Sequence, residues 1–392
     1  MSKIYFSKIS RMLYLLVDAY FKLVFLLSKK DKLFIFTLVF GLFLAASVGY
    51  YIYPLRYIFV LIALVFIFMV YPFKYKDVFY LFLFFFFLIV LNIYASYFLQ
   101  DNFDFTYFHL YLIMLIGYIL SKENLLIKLK PYIKFILLIN LYFLINEKFT
   151  GIPFVPWGEG RELSLVFYGQ GIFGYTKNAA DAIGLVILMF RKDLFWKFII
   201  LISVILIGIR SSIVFVGLII IIDIIMSVNF NIKLNIKKIF LGVVFLFIGV
   251  LSIYFLQDLF YLNRLESLFR VESTTYTSRF YYAEAHLNCF AGVDIFQLLF
   301  GSGTYCPSIV RNGSENVHIM FFTHFGLVHY GVWLSFFLFI IFSNIKKHFF
   351  IVYPLGLYLL IGLGVRWGLG WMGGVVLYTY LFNIYFKRKV II

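Results

Sequence analysis

Residues 313 to 333, GSENVHIMFFTHFGLVHYGVW, carry one carboxylate, Glu315, and three imidazoles, His318, His324 and His329, at the head of a strongly apolar run. Glu315 and His318 stand three apart, so on a helix they share one face at a water–lipid boundary. A carboxylate beside an apolar rim is poised to take up a proton, which makes Glu315 the candidate general base and His318 its assistant or alternate. A solvated pair at a helix start is the competing reading. On a continuous helix His324 and His329 lie deeper and off the stripe of His318, which disfavours a shared zinc site and suits hydrogen bonds between helices.

Positive charge to match such a base stands outside the basic clusters. Arg210 in IGIRSSIVF separates two apolar runs, and Arg279 lies in TTYTSRFYYAEAHLNCF, a segment with a Thr or Ser helix cap and with Glu284 and His286 downstream. A planar guanidinium donates paired hydrogen bonds to an oxyanion, so both arginines are candidate binders of a phosphate or diphosphate. Structural roles compete: Arg210 can snorkel between two helices, and Arg279 can pair with Glu284. Arg366 in GLGVRWGLG and Arg161 in EGRE are secondary candidates, with His286 and Glu284. DNFD at 101–104 and EGRE at 159–162 lack distinctive ligand spacing, so no metal or other cofactor is expected.

The elements that must position these residues are helices in a bilayer. Of 392 residues, 64% are hydrophobic and 13% charged, against roughly 45–50% and 25% in soluble domains. The formal charge of +16 could suggest nucleic acid. Its lysines and arginines instead cluster after alternate apolar segments, at 29–32, 74–76, 122–130, 191–192, 233–238, 346–347 and 387–389, the pattern of cytoplasmic loops. Nucleic acid is therefore not an expected partner, and membrane lipid is. No removable signal peptide is read at the N-terminus.

Between these clusters lie apolar spans at 33–53, 55–72, 78–99, 106–121, 131–147, 174–190, 195–209, 211–228, 239–257, 317–343, 349–364 and 366–386. The expected fold is an all-α polytopic integral membrane protein with about twelve transmembrane helices and both termini cytoplasmic. Residues 11–28 read as an amphipathic interfacial helix, with a thirteenth span as the alternative. The chain divides into a cytoplasmic N-terminus with that helix (1–32), an N-terminal bundle (33–147), a first large periplasmic loop (148–173), central helices (174–257), a second large periplasmic loop (258–316) and C-terminal helices (317–392). Loops this long inside a compact fold are usually functional, and the aromatics of the second suit a subdomain docked on the bilayer. Cys289 and Cys306 both fall there, and either pair in an oxidising compartment or stay as two partly buried thiols.

Three segments in this order resemble the membrane O-antigen polymerases of the Wzy type and the related O-antigen ligases, over roughly residues 174 to 343. They are IRSSIVFVGLII, TSRFYYAEAHLNCFAGVDIFQLLFGSG and SENVHIMFFTHFGLVHYGVW. The resemblance implies a glycosyltransferase of the bacterial inner membrane that joins polyprenyl-diphosphate-linked oligosaccharides on the periplasmic face. Arg210 and Arg279 then bind the lipid diphosphate. The family's histidine before asparagine falls on Glu315, followed by Asn316, a departure from ligases that suits a polymerase. Donor and acceptor are both lipid-linked oligosaccharides, and a chain-length regulator protein is a further candidate partner. The alternatives are a ligase moving glycan to a lipid A core and, from another class, a lipid-linked-oligosaccharide flippase. The long second loop argues against a flippase.

Overall fold

The computed structural model describes residues 108–122, 126–151, 171–173, 176–229, 274–303, 305–306, 316–362 and 371–386, with positions 58, 87, 90 and 94 besides. The expected spans at 33–53, 55–72, 78–99 and 239–257, the interfacial helix at 11–28, most of the first long loop and residues 258–273, 304 and 307–315 of the second lie outside these residues or touch them only at those isolated positions. Among the described residues all regular structure is helical. The helices are α1 (Phe108–Lys122), α2 (Leu126–Thr150), α3 (Thr176–Val186), α4 (Leu194–Ile207), α5 (Arg210–Asn229), α6 (Thr274–Ala291), α7 (Ile295–Phe300), α8 (Val317–Gly362) and α9 (Trp371–Tyr385). Short 3-10 turns at Gly171–Phe173 and Ile187–Met189 precede and follow α3.

Two apolar helical stretches, Leu129–Thr150 and Val317–Lys346, are long enough to cross a membrane. Helix ends follow local chemistry. Gly208 closes α4 in the left-handed region (φ 81°), its N–H donating to the Val204 carbonyl, which a side-chain-bearing residue does only at a cost. Asp294 and Gln297 form a reciprocal capping box that starts α7. In the core, α9 packs along α1 and α3. A Cβ on Gly117 of α1 would stand 2.7 Å from that of Tyr378 on α9, so only glycine allows these backbones to approach so closely.

The expected span over 317–343 is not one straight helix. At Gly326 (φ 79°, ψ 175°) and again at His348 the backbone leaves the helical region, dividing α8 into three arms. His318 and Tyr330 are twelve residues apart, about 18 Å along a straight helix. Their side chains nevertheless meet at 3.1 Å, so the first arm folds back on the second. The second arm, roughly 20 residues or about 30 Å, runs on to Lys346. After His348 the third arm returns beside it, with Tyr358 stacked on Phe337 at 5.7 Å.

One end of the bundle collects the basic clusters. Lys130 lies over the Phe190 ring at 5.2 Å and Lys134 over Trp196 at 4.9 Å. Arg191 donates to the Phe350 carbonyl, two residues past the break at His348. Lys130, Lys134 and Arg191 thereby come to the same end of the molecule as the helix break at His348.

Candidate functional site

The site grows from the fold-back at Gly326. Asn316 is the N-cap of the first arm of α8: its Oδ1 accepts from the N–H groups of His318 (2.9 Å) and Ile319 (3.1 Å). The cap sets the helix start two residues before His318, which is half-buried. His318 Nε2 lies 2.9 Å from the Leu359 carbonyl oxygen, an acceptor left over in the last turn of the third arm. A carbonyl only accepts, so Nε2 carries the proton; Nδ1 is then an acceptor, and the Tyr330 hydroxyl donates to it at 3.1 Å. Trp333 meets the imidazole edge-on at 5.7 Å, stacks on Phe321 at 4.5 Å and donates its indole N–H to Tyr378 at 3.0 Å. His318 thus stands in an aromatic wall with its tautomer and ring plane set by neighbours on the second and third arms.

The second loop supplies a cradle for the turn. The LFGSG segment ends α7 with Gly301 at φ 99°, and the Ser302 and Gly303 N–H groups donate to the carbonyls of Thr323 (3.0 Å) and His324 (3.2 Å). These are carbonyls that the fold-back withdraws from helical pairing, so the loop satisfies what the bend exposes. A Cβ on Gly326 would collide with the Leu299 carbonyl, and one on Gly301 with that of His324. Cys289 and Cys306 are joined in a disulfide, which ties the end of α6 to the segment that follows the cradle. Phe290 of α6, buried, packs on Phe322 at 4.8 Å.

Of the residues expected to do chemistry, Glu315, Arg161 and Arg366 lie outside the described residues. Arg279 occupies the same helical stripe as His286, two turns along α6, and His286 is fully buried while Glu284 is exposed. Arg210 opens α5. The chain turns at Arg191 and His348 mark one end of the bundle, and α4 and the third arm of α8 both run away from it. That brings the turn at Gly208, and Arg210 after it, towards the end where His318 meets Leu359. His324 and His329 are buried at 4% and 5% exposure on either side of the bend, so they do not follow the straight helix that their spacing suggested. Among the described residues no three His, Cys, Asp or Glu side chains gather as a metal ion requires.

Two buried polar clusters were missed in the sequence. In the first, Asp223 of α5 receives Arg191 (2.5 Å), Lys197 of α4 (2.7 Å) and the Tyr353 hydroxyl (2.6 Å). Arg191 also reaches the Phe350 carbonyl, freed because Pro354 four residues on has no N–H to offer it. Burial by itself lowers the Arg191 pKa, but Tyr380, Asp223 and Tyr353 together raise it, so the guanidinium stays charged. In the second, Glu147 Oε2 and Asn140 Oδ1, seven residues apart on one face of α2, accept from the N–H groups of Gly171 (3.0 Å) and Ile172 (3.1 Å) and hold the end of the first loop. A carboxylate amid IIIIDIIM was the available signal for Asp223, whereas Asn140 and Glu147 offered only their two-turn spacing.

The described part is therefore an all-helical protein with two stretches fit to cross a membrane and a disulfide-tied cap over a folded-back helix. In comparisons with known proteins no family model matches the chain, and neither a curated protein nor a solved structure matches it.

Proposed function

We propose that this chain is a polytopic inner-membrane glycosyltransferase that polymerises polyprenyl-diphosphate-linked oligosaccharide repeat units into O-antigen polysaccharide on the periplasmic side. A hydroxyl of the incoming unit attacks the anomeric carbon of the growing chain, with inversion, and polyprenyl diphosphate leaves. Glu315, with His318 as assistant or alternate, serves as base; Arg210 and Arg279 neutralise the leaving diphosphate, with fixed charge as the main catalytic contribution. The observation that carries the reading is the second loop itself: its helices α6 and α7 are packed on α8 beside the fold-back that holds His318, as a cap over a site and unlike a spacer. The disulfide in that loop supports an oxidising compartment, and the meeting of Lys130, Lys134 and Arg191 at one end supports a cytoplasmic face there.

The test is extension of a purified lipid-linked repeat unit by this protein alone, with and without chelator. Ladders of product with either addition are expected; unchanged substrate overturns the proposal. Deletion in cells separates the rivals. Loss of a polymerase leaves one repeat unit on the lipopolysaccharide, and loss of a ligase leaves none.

A further inference from the structure

Tyr330 has no chemical signature in the sequence, because a straight span would carry it far from His318. The fold-back at Gly326 brings them into contact, and the resulting order of groups is specific. Leu359 offers a carbonyl that can only accept, His318 gives it Nε2–H, and Nδ1 receives the Tyr330 hydroxyl at 3.1 Å. An orienting acceptor, an imidazole and a hydroxyl in line form the arrangement in which a base drains a proton from the hydroxyl while its tautomer is held. Both side chains are half-buried, so neither is sealed within the core. A merely structural histidine satisfies its nitrogens too, but it does not need a partner that can pass a proton on.

We propose that Tyr330 is a catalytic residue: its oxygen meets the acceptor hydroxyl, and His318 behind it stores the proton. This rests on the glycosyl-transfer reading above and decides between the two bases it names. In the step, the acceptor O–H gives its proton to Tyr330 Oη as Tyr330 Oη–H gives its own to His318 Nδ1. The acceptor oxygen bonds to the anomeric carbon, the bond from that carbon to the diphosphate oxygen breaks, and its electron pair leaves with polyprenyl diphosphate. The imidazolium so formed keeps its Nε2–H on the Leu359 carbonyl until the proton passes to water or to the departing diphosphate. On this route Glu315 is not the base.

The experiment uses the full chain in lipid nanodiscs with a polyprenyl-diphosphate repeat unit. Tyr330→Phe keeps the ring against Trp333, which stacks on it at 6.1 Å, and removes only the hydroxyl. The expected result is a fall in kcat of about 10²–10⁴-fold, the usual contribution of general acid–base catalysis, with KM within about twofold. ¹⁵N-histidine spectra should show His318 as the Nε2–H tautomer with a hydrogen-bonded Nδ1 in the wild type, and without that bond in Tyr330→Phe. Independently of any variant, a proton inventory in mixed H₂O and D₂O should curve, as two protons in flight require. A wild-type rate in Tyr330→Phe, an Nδ1–H tautomer or a linear inventory overturns the proton route and leaves the transferase reading standing. A wild type inactive on the repeat unit overturns both.

Discussion

Asp223 stands in IIIIDIIM, where an isolated carboxylate in lipid costs about 2.5–3.5 kcal/mol even on the lenient insertion scale. It is 5% exposed and held by an arginine, a lysine and a phenol from neighbouring elements. Removing its charge leaves two buried cations unanswered. Asp223→Asn should destabilise the protein by about 3–5 kcal/mol, read from denaturant or thermal unfolding in detergent. A conservative change at an exposed apolar site such as Ile221, 53% exposed, should leave the midpoint unchanged. The diphosphate assignment is tested at the same scale. Arg279→Ala, expressed at wild-type level, should abolish polysaccharide ladders in cells. Arg279→Lys should do nearly as badly, because a lysine lacks the paired donors that match an oxyanion.

Helix α8 is where local rules and tertiary structure part. From 317 to 342 its sequence is predominantly apolar, so hydropathy reports one span there, and only a glycine at position 326 allows the chain to turn back. Gly326→Ala both forces a side chain into the left-handed region and drives a Cβ against the Leu299 carbonyl. The expected loss exceeds about 2 kcal/mol of stability, well above the cost of Gly331→Ala, where a Cβ meets open space. The cradle that receives the turn is tied by a disulfide with a sequence separation of 17. Cys289→Ser should cost about 3 kcal/mol on the loop-entropy scale, and wild-type protein treated with reductant should melt at the temperature of the variant.

At the scale of the molecule, polarity follows from which ends the helices share. Lys130, Lys134 and Arg191 meet at the end where α8 breaks at His348, two residues after Lys346, while Asn140, Glu147 and the cap helices belong elsewhere along the elements. Impermeant maleimide on intact cells should therefore label Tyr281→Cys, which is 68% exposed on α6, and should reach Lys346→Cys only after lysis. The reverse pattern would put the cap in the cytosol and leave the proposed sugar transfer without its substrate.

The all-helical class of the described residues and the helix bounds of α1, α4 and α5 within a few residues were legible in the chain alone, because hydropathy and charge act locally and additively along it. The cysteine pair was visible as two alternatives, and the fold chose between them. What only the tertiary structure decided is which residues meet: His318 with Tyr330 and Leu359, Asp223 with Arg191 and Lys197, Gly301 with Gly326. Those encounters depend on one backbone reversal and on close approach between distant segments, and neither leaves a periodic trace in an apolar sequence.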